Sequence, residues 1–319
     1  MKIEKLAPAF KDYLWGGVKL REDYGKNCDY DKVAESWELS THPAGQSRVS
    51  GGEFDGMALG EYLRENPGAA GANCGGFENF PVLIKFIDAK EPLSIQVHPS
   101  DAYALQEEGE YGKTEMWYVM DCEPGASLYF GVNREVGREE FARRIAENTL
   151  LEVLNKVDVH PGNVFFIEAG TIHAIGGGIL ICEIQQNSNC TYRVYDYGRV
   201  GADGNPRELH VEKALAVSKL TPSDTSGRQG PVVPMLGGCG QRLASCKYFT
   251  TFRYQVERRA VLEADGGSFL SLVAIEGQGL VSGPENAVPF KAGDSLFVPA
   301  GTGRVAISGP CTVVATRVG

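Results

Sequence analysis

Pro161-Gly-Asn-Val-Phe-Phe-Ile-Glu-Ala-Gly-Thr-Ile-His173 reads as a turn, an apolar strand, a glycine-bearing hairpin turn and a histidine that opens the return strand. The pattern returns at Ala292-Gly-Asp-Ser-Leu-Phe-Val-Pro-Ala-Gly-Thr-Gly-Arg304. Gly162 matches Gly293, Glu168 matches Pro299 and Gly170 matches Gly301, each pair 131 residues apart. In that register His173 matches Arg304. The chain therefore carries one β unit twice, once with a potential metal ligand and once without.

The rest of the sequence has the same texture. Forty glycines and sixteen prolines punctuate short runs rich in Val, Ile, Phe and Tyr, as in an all-β protein with tight turns. Helices are expected at 57–65, at 138–156, where Phe141, Ile145, Leu151 and Leu154 are spaced for one face, and at 209–219. A polar, Gly/Pro-rich stretch at 222–240 reads as a linker. It divides the chain into an N-terminal unit over 1–221 and a C-terminal unit over 241–319 that holds no histidine.

Upstream, Pro92-Leu-Ser-Ile-Gln-Val-His98 alternates, with Leu93, Ile95 and Val97 on one face and Ser94, Gln96 and His98 on the other. Gln96 and His98 are then roughly 7 Å apart at Cα and can meet one metal ion. The strand at 81–88 is too apolar to be half exposed. At 113–118 the alternation puts Lys113, Glu115 and Trp117 on one face, a mixture suited to a sugar. At 179–185 Glu183 aligns with Ile179 and Ile181, so it is either a functional carboxylate with a shifted pKa or part of an edge. Over 191–199 Arg193, Tyr195, Tyr197 and Arg199 share a face. Two guanidinium groups there suit a phosphate, although a pair of exposed arginines would read the same way. His42, between Thr41 and Pro43, reads as a turn residue.

Charge narrows the function. The 319 residues carry a net charge of −10 with no Lys/Arg run, which gives nucleic acid or an anionic membrane no electrostatic hold. No segment has the length of a signal-peptide core or a membrane span, so a cytoplasmic protein is expected. The eight cysteines show no Cys-x-x-Cys spacing and read as reduced structural thiols.

The Gly-x5-(Pro/Glu)-x-Gly-x2-His pattern resembles the second motif of the cupin family. By that resemblance Gln96-x-His98 is the first motif and Glu115 the acidic ligand, and the fold is all-β dominated: two cupin-type jelly-roll units with a few helices packed on the first. Gln96, His98, Glu115 and His173 together suit a borderline divalent ion, left with a net charge of about +1 if it is zinc. Mn, Fe or Co would also fit.

Through Leu-Ser-Ile-Gln-Val-His-Pro, Lys-Thr-Glu-Met-Trp, Ala-Gly-Thr-Ile-His-Ala and Tyr-Arg-Val-Tyr-Asp, the chain resembles the type I mannose-6-phosphate isomerases in their short bacterial form. The resemblance implies a single zinc held by Gln96, His98, Glu115 and His173, with a catalytic carboxylate at Glu183 and an arginine at Arg193. It further implies that Ser94, Lys113 and the cation at Arg199 bind the sugar phosphate; a monomer or homodimer is expected. The implied reaction is proton transfer between C1 and C2 through a cis-enediol, with Glu183 as base and Lys113 or Arg193 facing the enediolate. Two positions depart from the family: Asn189 stands where many members have Asp, and Arg199 where longer members have Lys. A cupin dioxygenase would share the His/His/Glu set but gives no reason for Lys113, Arg193 and Arg199. A non-catalytic sugar-phosphate sensor would not need Glu183.

Overall fold

The computed structural model describes residues 1–200, 204–224 and 229–319. Two antiparallel sheets form the N-terminal jelly roll. One has six strands in the order Val164–Ile167, Glu115–Cys122, Ile179–Gln186, Val82–Ala89, Glu35–Leu39 and Ala9–Lys11. The other has five, in the order Tyr192–Tyr195, Ile95–Val97, His173–Ala174, Ser127–Val132 and Leu154–Asp158. Between them lies an apolar lumen that includes Ile87, Trp117, Phe130, Phe165, Ile179 and Ile181.

The repeat is visible in the backbone. Val164–Ile167 has its counterpart in Ser295–Val298. Gly162 and Gly293 have φ of 90° and 91°, and Gly170 and Gly301 have φ of 89° and 76°, a region closed to most side chains. In the C-terminal unit the strand Leu270–Ser282 serves both sheets. It pairs with Ser295–Val298 and Cys311–Arg317 along one part and with Ala287–Lys291 and Gly303–Ser308 along the other. The N-terminal unit divides that task between Glu115–Cys122 and Ser127–Val132.

Each face of the lumen walls is covered. The outer face of the six-stranded sheet (Ile84, Phe86, Met116, Ile184) packs on Leu243, Phe249, Phe269 and Phe297 of the C-terminal unit. The outer face of the five-stranded sheet (Ile95, Val97, Val194) packs on the helices Arg138–Ala146 and Val211–Val217. Each large side chain fully buried in these layers contributes about 1.5–3 kcal/mol. The lumen walls are thus backed on both sides, and side chains pointing inward are held stiffly.

Several elements depart from the sequence expectations. The helix expected over 138–156 stops at Ala146, because Asn148 turns left-handed at φ 56° and ends it; a 3-10 turn Leu150–Val153 and the strand Leu154–Asp158 follow. The other two helices are shorter than expected, Leu59–Glu65 and Val211–Val217. A further helix, Asp101–Glu107, begins after Ser100, a residue type favoured before a first turn. The stretch 222–240 is not all linker, since Val232–Met235 pairs as a strand with Gly238–Ser245. Glu4–Ala7, near the start of the chain, joins the sheet of the C-terminal unit by pairing with Ser295–Val298.

Candidate metal centre and its pocket

His98 follows the strand Ile95–Val97. His173 opens its strand opposite Gln96, and Glu115 opens its own opposite Ile167 and Gln185. These three elements converge at one end of the lumen. Nε2 of His173 lies 3.2 Å from Nε2 of His98 and 3.3 Å from Oε1 of Glu115; Nε2 of His98 is 3.6 Å from Oε2 of Glu115. All three side chains are fully buried. The ring of His173 also meets the edge of Trp117, with centroids 5.3 Å apart.

The outer ring nitrogens are both occupied. His98 Nδ1 is 2.9 Å from the Cys190 carbonyl and His173 Nδ1 is 2.8 Å from the Thr171 carbonyl. A carbonyl accepts only, so each Nδ1 carries the proton and each Nε2 turns its lone pair inward. Burial lowers the pKa of both imidazoles, with the Lys113 charge adding to the effect, and keeps them neutral. Glu115 Oε1 is buried with no hydrogen-bond partner. Two lone pairs and a carboxylate aimed at one point form a donor set that fits a divalent cation. The ammonium of Lys113 already leans on this set, donating to Glu115 Oε2 and lying 3.2 Å from His98 Nε2.

Gln96, half-buried, pairs in register with His173 on one side and Arg193 on the other. It lines a pocket of about 310 Å³ beside the donor set. Glu183 reaches the same pocket at 3% exposure, opposite Lys85 and Trp117 in neighbouring strands. Trp117 Nε1 donates to Glu183 Oε1 at 3.0 Å, Lys113 Nζ lies 3.6 Å from that oxygen, and Lys85 Nζ lies 3.7 Å from Oε2. Burial pushes the Glu183 carboxyl up, but the Lys113 and Lys85 ammoniums outweigh it and hold the group below the ordinary carboxylate range. Lys113 is itself pushed up to about 12: burial opposes this, but the charges of Glu115 and Glu183 prevail.

Lys85 continues the row to Glu35, 3.4 Å away, and lies over the Trp37 ring at 4.7 Å. Carboxylates and ammoniums thus alternate from Glu35 through Lys85, Glu183 and Lys113 to Glu115. Sequence reasoning passed over Lys85 and Glu35. The available signal was one lysine in an otherwise almost wholly apolar strand, since a lysine in such a place needs a partner.

The other pocket wall carries Ser94 and Arg193, with Arg193 Nε 3.3 Å from Ser94 Oγ. Leu93 lines the pocket and belongs to the lumen core, whereas Ile95 and Val97 pack outward. The alternation expected from Leu93 fails because the strand begins only at Ile95. Arg199, expected on the face of Arg193, is elsewhere. The strand ends at Tyr195 and Tyr197 turns left-handed at φ 57°, so Arg199 folds back onto Asp196 and donates to the Pro92 carbonyl at 2.6 Å. Arg207, which no motif marked, lines the pocket instead. Asn189 is also on the wall, its main-chain N–H donating to Glu110, and His42 pairs with Glu110 at 2.9 Å, away from the donor set.

In the second unit the position of His173 is filled by Arg304, exposed and paired in register with Glu263. Among the described residues, His98, Glu115 and His173 form the one cluster with metal-ligand geometry. No helix among those residues is long and apolar enough to cross a membrane.

Comparison with known proteins is consistent along the chain. Residues 3–120 match the family model of the phosphomannose isomerase type I catalytic domain, and residues 241–318 that of the mannose-6-phosphate isomerase cupin domain. A mannose-6-phosphate isomerase of Bacillus subtilis (strain 168) is 37% identical over 95% of this chain and 94% of its own. A putative mannose-6-phosphate isomerase of the same strain is 35% identical over 98% of both. A crystal structure of the mannose 6-phosphate isomerase from Bacillus subtilis superposes with a TM-score of 0.92 at 35% identity, covering 99% of each chain. A mannose 6-phosphate isomerase bound with zinc and yttrium shares the fold, with a TM-score of 0.79 at 20% identity.

Proposed function

The chain belongs to the type I mannose-6-phosphate isomerases, which are aldose–ketose isomerases, and from that membership we propose that it interconverts mannose 6-phosphate and fructose 6-phosphate with one zinc ion per chain. Gln96, His98, Glu115 and His173 would hold the ion. When bound, it would polarise the sugar oxygens and offset negative charge that develops on them.

The remaining chemistry falls to the side chains. Glu183, ionised beside two ammoniums, takes the proton from C2 of the open-chain aldose. Its carboxyl, after exchange with solvent, delivers a proton to C1 once the double bond has moved, while O1 takes up a proton and O2 gives one up, so a cis-enediol lies between the two sugars. Lys113 sits between Glu183 and the donor set and faces the developing oxyanion, and Arg193 steadies the same region with Ser94. Tyr13 and Trp15, ring centroids 5.7 Å apart, line the same pocket and offer apolar faces to the sugar.

The observation that carries the reading is the placement of Glu183, an ionised and nearly buried carboxylate on the pocket wall, 3.6 Å from the lysine that also contacts the donor set. The test is a coupled assay for fructose 6-phosphate formed from mannose 6-phosphate, run in deuterated water. Turnover with deuterium entering the product supports the reading. No turnover with the zinc-loaded protein overturns it.

A further inference from the structure

We infer that Arg207, clamped by Asp196, is the cation that grips the substrate phosphate beside Arg193, and that Arg199 serves the fold instead. The inference rests on the isomerase reading above. Two arginines hold one carboxylate beside Arg193. Asp196 is 6% exposed and accepts from both Arg199 and Arg207.

The two arginines use that carboxylate differently. Arg199 has all three nitrogens engaged by the protein: Nε and Nη2 on Asp196, and Nη1 on the Pro92 carbonyl. Its guanidinium also lies 5.3 Å from the Tyr197 ring. It pins the 196–199 turn to the segment before Ser94 and is not part of the pocket wall. Arg207 gives one edge to Asp196, with Nε at 2.7 Å from Oδ2 and Nη2 on Oδ1. Its Nη1 makes no hydrogen bond to the described residues, and the side chain lines the pocket together with Arg193, Ser94 and Thr191. A guanidinium held along one edge presents the other in a fixed plane, which suits a phosphate oxygen.

The charges agree with that placement. Burial and then the Arg207 charge lower the pKa of Arg193, and Arg199 contributes less, so Arg207 is the stronger neighbour of Arg193. Arg193 spends Nε on Ser94 and Nη1 on the Glu208 carbonyl at 2.9 Å. The single charge of Asp196 is shared between Arg199 and Arg207, which leaves this end of the pocket with surplus positive charge. A phosphate dianion bridging Arg193 and Arg207 relieves the repulsion between them.

The test uses the zinc-loaded enzyme. Arg207→Ala is expected to raise KM for mannose 6-phosphate about 10- to 100-fold, as the loss of a hydrogen bond to a charged group does. The Ki of inorganic phosphate should rise in parallel, while kcat/KM for unphosphorylated mannose changes far less. Loss of Arg207 also uncovers the Asp196 charge, so the Arg207→Ala/Asp196→Asn double variant separates contact from neutralisation. A KM that stays high in the double variant supports contact. A KM that returns to normal, or a larger KM effect from Arg199→Ala than from Arg207→Ala, overturns the inference. Calorimetric binding of inorganic phosphate reads the subsite without turnover: if wild type binds it, Arg207→Ala does not, and neither isomerises the sugar, the isomerase reading fails while the subsite stands.

Discussion

His98 and His173 face each other through Nε2 atoms 3.2 Å apart, each ring locked from behind by a main-chain carbonyl. Neither ring can turn its lone pair aside without giving up that bond, so the two lone pairs and Glu115 stay aimed at one point, offset by the Lys113 ammonium, and a divalent cation would engage all three. Chelation should therefore lower the melting temperature by a few degrees and abolish isomerisation, and zinc should restore both. Differential scanning fluorimetry with and without chelator checks the first part. A melting temperature indifferent to both treatments would count against a resident ion.

Glu183→Gln keeps the shape of the side chain and its acceptor for Trp117 but removes its basicity. We expect kcat to fall about 10²- to 10⁴-fold, with zinc content unchanged by metal analysis and KM little altered. Loss of zinc in this variant would instead make Glu183 a ligand.

Asp101 ties the two units together. It accepts from Tyr248 and Lys247 of the C-terminal unit and from Gln186 and the Gly112 N–H of the N-terminal one. Burial pushes its carboxyl up, but those hydrogen bonds outweigh burial and hold it below the ordinary value. A carboxyl depressed in the folded state adds stability above its unfolded value, near 3.9, and loses it as pH falls through the folded value. Asp101→Asn should thus melt lower than wild type at neutral pH, and the gap should close below about pH 4. Melting curves across that window test it; a gap that is constant with pH would assign the effect to packing.

Gly170 and Gly301 occupy matching turns, both at positive φ, but their surroundings differ. A Cβ on Gly170 would lie 2.7 Å from the Val217 carbonyl, whereas one on Gly301 would meet nothing within 4 Å. Gly301→Ala should cost about 1–2 kcal/mol, the left-handed penalty alone. Gly170→Ala should cost more and should also loosen zinc, since the Gly170 N–H donates to the His98 carbonyl. Chemical denaturation with metal analysis distinguishes the two; equal costs and intact zinc in both would refute the contrast.

Much of the donor set is legible in the sequence because local rules place it. Strand alternation links Gln96 to His98, and the repeated turn fixes the place of His173 along its hairpin. Glu183 is marked by a charge among apolar neighbours. Lys85 carries the same mark, but its partners come from strands far away in sequence, Glu35 on one side and Glu183 on the other, and no periodicity predicts a sheet order. Arg199 and Arg207 were beyond local reasoning for another reason. The strand ends at Tyr195 and Tyr197 turns left-handed, so Arg199 packs on Asp196 and the Pro92 carbonyl, while Arg207 lines the pocket. The strand within 222–240 escaped notice because Pro234 and its glycine neighbours look like linker, while an edge strand tolerates them.

The pairing of Glu4 with Phe297 has a consequence in time. A ribosome that has released Glu4–Ala7 must still make everything up to Ser295–Val298 before one edge of that strand can pair, so until then the strand has only the two-residue Arg48–Val49 strand on its other edge. Contacts of such span are slow to form and leave nascent edges open to wrong partners. Synthesis that stalls before Ser295 leaves one edge of that strand unpaired on an otherwise nearly complete catalytic unit, which makes prematurely terminated chains of this protein natural clients for chaperones.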